Sequence, residues 1–512
     1  MPGYFLNKGV EMSEHAKLLI KSWLDKPLSR KAVLGAAITS FFAASSIGKV
    51  FGATAPVLTP IIGRPTNSSA TISLISSEKI SAYIEYGLSK TSFTKKTSIL
   101  SIEANEPKEF DLTNLAANKK IYYRIRYKTS TASAFTIGTQ SSFSTQKSSG
   151  STFSFTVQGD THPERAGKMF NADLYKVTMA NIAAQQPDFH ILLGDDFSID
   201  PLIDKGQANK VNVEKIYKTH RDWLSISATS VPLFLVNGNH EQAAAYLLDG
   251  TATNPAVLAG NARLKYFPLP APSNFYTGDS YLVPNVGLPR DYYSWVWGDA
   301  LFVTLDPYWH SSLPVDNLAG VSATDDQGKN GKSGDNGKTK NLWQIGIGDD
   351  QYAWLKKTLE ESTAKYKFVF AHHVMGTGRG AIEVSTNYEW GGKDPSGTTT
   401  FAKERPNWEL PIHDLMVKNK VSIFFKGHDH IFCTQERDGL IYQSMPNPAD
   451  DTFSMFNETA YKSGTKAANS GHVKVTVSPT QAKVEYYLAA RSKDTNRKNR
   501  TIAHTYSVKP GA

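Results

Sequence analysis

Between residues 56 and 146 apolar side chains come in short bursts at every second position, within a background of Ser, Thr and Lys. Ala70-Thr71-Ile72-Ser73-Leu74-Ile75, Ser81-Ala82-Tyr83-Ile84-Glu85-Tyr86-Gly87, Ile121-Tyr122-Tyr123-Arg124-Ile125-Arg126-Tyr127 and Gln140-Ser141-Ser142-Phe143-Ser144-Thr145 carry this alternation. A period of two belongs to strands with one face buried. Several such strands divided by turn residues predict a small β-sandwich over 56–147. Ser148-Ser149-Gly150-Ser151 then reads as a linker.

Beyond the linker the pattern alternates between short apolar runs and helical periodicity. Strands are expected at 153–158, 189–193, 231–236, 366–370 and 421–425, and helices at 169–186, 213–226, 351–361 and 412–419. In the first helix Met169, Leu174, Val177, Ile182 and Ala183 supply the apolar face. Tyr292-Tyr293-Ser294-Trp295-Val296-Trp297 and Leu301-Phe302-Val303-Thr304-Leu305-Asp306 read as a hairpin around Gly298-Asp299. Strands alternating with helices predict α/β layering over 152–490. The Gly-, Asp-, Lys- and Asn-rich stretch 317–339 has no apolar period and reads as a surface insertion. Residues 491–512 are expected to form a C-terminal tail, and no internal repeat is evident.

A chain of 512 residues has room for two to three domains. Hydrophobic and charged fractions of 40% and 20% exclude disordered and collagen-like classes. The net charge of +9 comes from lysines spread along the chain, which excludes a dense nucleic-acid-binding block and leaves mild steering of anions. Cys433 is the single cysteine, so neither an intrachain disulfide nor a Cys-based zinc cage can form. It falls in an expected strand, Ile431-Phe432-Cys433, as a small apolar residue. Residues 1–55 read as an export signal: Lys8, Lys17, Lys21 and Lys26 precede Ser29-Arg30-Lys31, an apolar run from Ala32 to Ile47, and a small-x-small site at Ala53-Thr54-Ala55. The run is shorter than the roughly 20 residues of a membrane span. Ser29-Arg30-Lys31-Ala32-Val33-Leu34 resembles a twin-arginine signal with the second arginine replaced by lysine. The expected location is therefore periplasmic or extracellular, by the twin-arginine or the general route. An amphipathic helix or an uncleaved anchor is the alternative.

Five segments hold the chemistry: Gly159-Asp160-Thr161-His162, Gly194-Asp195-Asp196, Gly238-Asn239-His240-Glu241, Ala371-His372-His373 and Gly427-His428-Asp429-His430. Each follows a short apolar run that reads as a buried strand. Ligands gather beyond the carboxyl ends of strands in open α/β sheets, so these residues should converge. Alternate residues of an extended segment can reach one ion, which pairs Asp160 with His162 and His428 with His430. Carboxylates and imidazoles in this number suit a two-metal hydrolytic site, and the donor set admits Mn, Fe and Zn alike. Arg165, Arg379 and Lys426 are candidate phosphate contacts, since a guanidinium suits bidentate recognition. Asp196 and Asp429 are expected behind the ligands or facing solvent. Glu389-Trp390-Gly391-Gly392 and Tyr308-Trp309-His310 could wall the pocket or belong to the core.

In order and content the segments resemble the calcineurin-like metallophosphoesterase superfamily, whose pattern is GDxH, GD, GNH(E/D), a histidine, and GHxH; the likeness covers roughly 152–490. That resemblance implies a four-layer αββα sandwich and two divalent metal ions. It assigns Asp160, His162, Asp195 and His430 to the first metal, and Asp195, Asn239, His372 and His428 to the second, with Asp195 bridging. Of the His372-His373 pair, the family commonly uses the first. It further implies that a metal-bound hydroxide attacks phosphorus, with His240 as general acid or transition-state stabiliser. The front region, including Phe110-Asp111-Leu112-Thr113-Asn114-Leu115, resembles the fibronectin-III-like domain of purple acid phosphatases. Those enzymes carry GDxG where this chain has His162, and a ferric-binding tyrosine where it has Ser198. A non-purple, His-liganded centre is therefore expected. The implied function is an exported phosphatase acting on small phosphomonoesters, with no nucleic-acid scaffold role and no membrane span after processing. The alternatives are a phosphodiesterase for nucleotides or glycerophosphodiesters, and a binding protein that has lost activity.

Overall fold

Two sheets press aromatic faces together, which is what the buried alternation of their strands requires. The computed structural model describes residues 55–313, 315, 342–374, 378–394 and 396–511. One sheet has nine strands in the order Ile502–Val508, Ala482–Leu488, Gly471–Val477, Phe153–Gln158, Phe189–Leu192, Leu233–Leu235, Leu58–Gly63, Ala70–Ser76 and Lys108–Leu112. The other has eight: Thr277–Gly278, Tyr293–Trp297, Ala300–Thr304, Tyr366–Ala371, Ile423–Lys426, Leu440–Ser444, Phe432–Arg437 and Thr465–Ala467. Phe155, Phe189, Phe302, Phe368, Phe370 and Phe425 meet between them, fully buried. Phe155 stands edge-to-face on Phe302 at 5.0 Å, a preferred aromatic geometry. Helices Ala172–Gln185, Lys210–Ala228 and Pro255–Tyr266 pack outside the first sheet, and Gly348–Glu360 and Ile412–Lys418 outside the second. The layers are α, β, β, α, as expected.

Helix ends follow side-chain capping rather than the apolar period. The first helix begins at Ala172, not 169, because the Asn171 side chain accepts from the amides of Asp173 and Leu174 at 3.1 Å. Asn209 caps the helix Lys210–Ala228 by accepting from the Asn212 amide at 3.0 Å, so that helix begins three residues before the expected start at 213. The helix Pro255–Tyr266 has no counterpart in the sequence reading. Its buried residues include Ala256, Val257, Ala259, Gly260 and Ala262, so it lacks a polar face to set a period.

The small sandwich forms between two layers. Lys95–Lys96, Ile80–Gly87, Lys120–Thr129 and Thr136–Ser144 make one, with Leu100–Ile102 paired to Ile80–Gly87. Leu58–Gly63, Ala70–Ser76 and Lys108–Leu112 make the other, and Ile72, Leu74, Ile84, Phe110 and Tyr123 fill the space between. That second layer also continues the nine-stranded sheet, with Gly63 set parallel and opposite Leu233. The buried Arg221 donates to the carbonyls of Thr59 at 3.2 Å, Ser73 at 2.5 Å and Tyr266. Tyr123 donates to the Thr229 carbonyl at 2.7 Å. Pro56–Ala512 is one compact unit as a result. The stretch expected as a tail supplies the edge strand Ile502–Val508, antiparallel to Ala482–Leu488. The export signal, apart from Ala55, and the insertion 317–339 lie outside the described residues. No helix among the described residues is long and apolar enough to cross a membrane.

Candidate metal centre

Parallel pairing brings the five segments to one edge. Phe153–Gln158, Phe189–Leu192 and Leu233–Leu235 run parallel in one sheet, and Tyr366–Ala371 and Ile423–Lys426 in the other. The loops then turn sharply back. His162, Asp195, His428 and His430 all take left-handed backbone conformations, with φ of 50°, 58°, 71° and 54°. Each costs of order 1 kcal/mol and persists only where the surroundings impose it. Gly194, at φ 92°, lies so close to Gly238 that a Cβ would strike the neighbouring backbone. A Cβ on Gly427 would strike Asp160 Oδ1. Close approach thus sets both glycines.

The donors interlock across the two sheets. Asp160 Oδ1 accepts from the His428 amide at 2.9 Å, and its Oδ2 lies 2.9 Å from His430 Nε2. His430 Nε2 is 3.0 Å from His162 Nε2, which is 3.5 Å from Asp195 Oδ2. Asp195 Oδ2 is also 3.1 Å from His372 Nε2, while its Oδ1 accepts from the His240 amide at 2.8 Å. Asn239 Oδ1 lies 3.0 Å from His372 Nε2 and 3.1 Å from His428 Nδ1. Asp160, His162 and His430 form one cluster with ligand atoms within 4.8 Å, and Asp195, His372 and His428 another. A third, His162 with Asp195 and His240, overlaps both. Asp195 therefore stands between the two sets.

Burial and charge define the protonation of the centre. Burial, aided by Arg165 and His430, holds His162 well below the usual imidazole range. It also lowers His430 and His428. Burial works against charge on Asp195 too, yet His372 and His240 hold it well below the ordinary carboxylate range. Asp195 and Asp160 in turn outweigh burial at His372 and raise it to about 9. His372 Nδ1 must donate to the Leu193 carbonyl at 2.7 Å, since a carbonyl only accepts, so Nε2 faces the acidic pocket. At His240, Asp200 Oδ2 sits 2.8 Å from Nδ1 and Arg165 Nη2 3.0 Å from Nε2. Burial and Arg165 oppose its charge, but Asp200 and Asp195 prevail and raise it to about 9. A guanidinium only donates, so the bond from Arg165 falls on the Nε2 lone pair and the ring proton lies on Nδ1 toward Asp200; with Nε2 protonated as well, the two cations would repel and an anion between them would relieve it.

The motif residue that the sequence reading left without a role is Glu241. Its Oε2 accepts from the amides of Asp195 at 2.9 Å and Gly238 at 2.6 Å, and its Oε1 from Asp196 at 2.7 Å and Phe197 at 2.9 Å. One buried carboxylate thus clamps two ligand loops together. Glu241→Gln would turn an NH2 group toward two of those amides. It is expected to lower unfolding free energy by about 2–6 kcal/mol, the cost of two unmet buried donors. An unchanged denaturant midpoint would refute the clamp.

Other expectations meet mixed outcomes. Asp196 and Asp429 are both buried and turned away from solvent. Asp196 accepts from Gln158 at 3.0 Å and Thr161 at 2.8 Å. Lys426 is no phosphate contact, because it is fully buried with its ammonium 2.5 Å from Asp429. Arg379 donates to the His428 carbonyl and lies 3.5 Å from Asp429, which ties it to the ligand loop. His373 faces the Tyr308 hydroxyl at 3.1 Å and stacks on His428 at 4.9 Å, outside the donor clusters that include His372. Trp390 belongs to the core, bonded to Tyr442 at 2.8 Å, and Trp309 packs under the helices of the first sheet. Glu389 is buried against Arg405 at 3.0 Å. Ser198, where purple phosphatases place their tyrosine, is buried and supplies no phenolate.

The donor set fits divalent cations on observations of the site itself. Buried Asp160 Oδ2, Asp195 Oδ2 and Asn239 Oδ1 crowd against the Nε2 atoms of His162, His372 and His430, which gathers in one place the oxygen and nitrogen donors that a divalent cation takes. The acidic field that raises His372 is one that also attracts a metal. An αββα sandwich with Asp, Asn and His converging from its strand ends defines a metal-dependent phosphoesterase. Residues 153–432 match the model of the calcineurin-like phosphoesterase family, more than half the chain, and the protein belongs to that family. No curated protein matches significantly. Among solved structures, the purple acid phosphatase PPD1 from yellow lupin (Lupinus luteus) seeds is similar in fold, with 14% identity, a TM-score of 0.57, and coverage of 89% of this chain and 74% of that one. GAP50, the anchor in the inner membrane complex of Plasmodium, is 13% identical over 70% of this chain and 90% of its own, with a TM-score of 0.33 that is too low to bear on function.

Proposed function

We propose that the protein is an exported phosphatase that hydrolyses small phosphate monoesters with two divalent cations, Mn, Fe or Zn. Asp160, His162, Asp195 and His430 would hold one cation, and Asp195, Asn239, His372 and His428 the other. Bound cations supply Lewis acidity toward the phosphoryl oxygens and lower the pKa of an attacking water. The observation that carries the reading is the place of Asp195 Oδ2, 3.1 Å from His372 Nε2 and 3.5 Å from His162 Nε2. His240, oriented by Asp200 at 2.8 Å, would stabilise the charge that builds on the phosphoryl oxygens in the transition state. Arg165 beside it adds a second positive charge, which favours a monoester dianion over a diester monoanion.

Purified protein should contain two metals per chain by elemental analysis. With Mn²⁺ it should cleave p-nitrophenyl phosphate at least tenfold faster than bis(p-nitrophenyl) phosphate. The opposite preference would establish the phosphodiesterase. Two bound metals with turnover of neither ester would sink the hydrolase reading.

A further inference from the structure

The loop after Asp450 carries an apolar tip beside the centre. Met455 is 37% exposed, and half-buried Phe456 sets its ring at 84° to that of His430, with centroids 6.0 Å apart. Among the described residues, neither belongs to an apolar cluster. Apolar side chains exposed at the rim of a polar site mark a binding surface better than a stabilising one.

The tip is held firmly in place. Asp450 Oδ1 accepts from the Thr452 amide at 2.9 Å and hydroxyl at 2.7 Å, while Oδ2 accepts from the Ser454 amide at 3.2 Å and Asn469 Nδ2 at 3.0 Å. Asp451 pairs with Arg491 at 3.0 Å and accepts from Asn171 at 2.9 Å. Asn457 Nδ2 donates to the Asp429 carbonyl at 3.2 Å, next to both histidines of that loop. Phe453, under the Arg497 guanidinium at 4.3 Å, and Asn457 adopt φ of 54° and 52°. A bulky residue in that region is costly, so Phe453 is held there by its surroundings, and Asn457 sets the turn next to Phe456. Such fixing removes the entropy cost of ordering a contact when a ligand arrives.

A row of groups runs from this ring across the centre. Phe456 adjoins His430, His430 adjoins His162 at 4.7 Å between ring centroids, His162 adjoins His240 at 4.8 Å, and Arg165 lies 3.0 Å from His240. A phosphoryl group over the donors has a guanidinium toward one end of the row and an aromatic ring at the other. We infer that Phe456, edged by Met455, is the leaving-group subsite, and that the substrates are phosphate esters whose leaving group carries a planar ring. A phenol or a nucleobase supplies such a ring, and the inference rests on the phosphatase reading above.

Metal-loaded full-length protein should be assayed on phenyl phosphate, adenosine 5′-monophosphate and glycerol 2-phosphate, as wild type, Phe456→Ala and Phe456→Tyr. Phe456→Ala should lower kcat/KM about tenfold on a ring-bearing ester, through KM, and less than twofold on glycerol 2-phosphate. Phe456→Tyr should restore it. A loss on phenyl phosphate alone identifies an aryl ester, and a loss on the nucleotide alone a nucleotide. Equal losses on all three esters, or none on either ring-bearing one, would overturn the subsite. Calorimetry with phenylphosphonate and methylphosphonate tests it without turnover: only the former should bind about tenfold more weakly to Phe456→Ala. A wild type inactive on all three esters would overturn the phosphatase reading, while the phosphonate pair still decides the subsite.

Discussion

Asp195→Asn is expected to take the protein from two metals per chain to fewer than one after dialysis, and to lower kcat/KM by more than about 10³. The carboxylate faces His162 and His372, which belong to different donor clusters, so its charge is shared by both cation positions. Removing one partner of a buried charge pair costs about 3–5 kcal/mol, or roughly 10²–10⁴ in affinity for each cation. The amide would also turn its NH2 group toward an imidazole nitrogen or the His240 amide, which now meet acceptor oxygens. Elemental analysis and the monoester assay read both effects. A variant that keeps two tightly bound metals would remove Asp195 from the bridging position.

His240→Ala should behave differently, keeping its metals while kcat falls by roughly 10²–10⁴, the range of a positioned group that acts in the transition state. The structural reason is a division of labour within one residue. Its backbone amide holds Asp195 Oδ1 at 2.8 Å, and that bond survives in alanine. Only the ring is lost, with its contacts to Asp200 and Arg165. Metal content near two with a collapsed kcat would separate chemistry from binding. An emptied site would instead make His240 part of the metal cradle.

Much of this was legible in the chain because it depends on short-range rules. A short apolar run placed the strand Phe153–Gln158 to the residue, and strand ends placed Asp160, Asp195, Asn239, His372 and His428. Rules of that range fail where a residue's role depends on distant partners. Lys426 looks like a cationic phosphate contact in the sequence, but Asp429 and Tyr461 bury it. Glu241 looks like the tail of a motif, yet four amides from two loops converge on it. Nothing local could reveal that Gly471–Val477 lies antiparallel against Phe153–Gln158, or that Ile502–Val508 closes the sheet.

By itself, the sequence determined the strand and helix types, the layered class and the donor identities, since apolar period and ligand chemistry are written residue by residue. A division of those donors came only from the family resemblance, and the tertiary structure is what gathers them, with Asp195 beside both His162 and His372 and with His373 turned to Tyr308. It also decided that the front sandwich shares a sheet with the catalytic half, and that Phe456 stands beside His430. The physical reason is the same in each case. Hydrogen bonds, charge and close approach act over a few ångströms in space, and they join residues such as Asp160 and His428 that lie 268 positions apart along the chain.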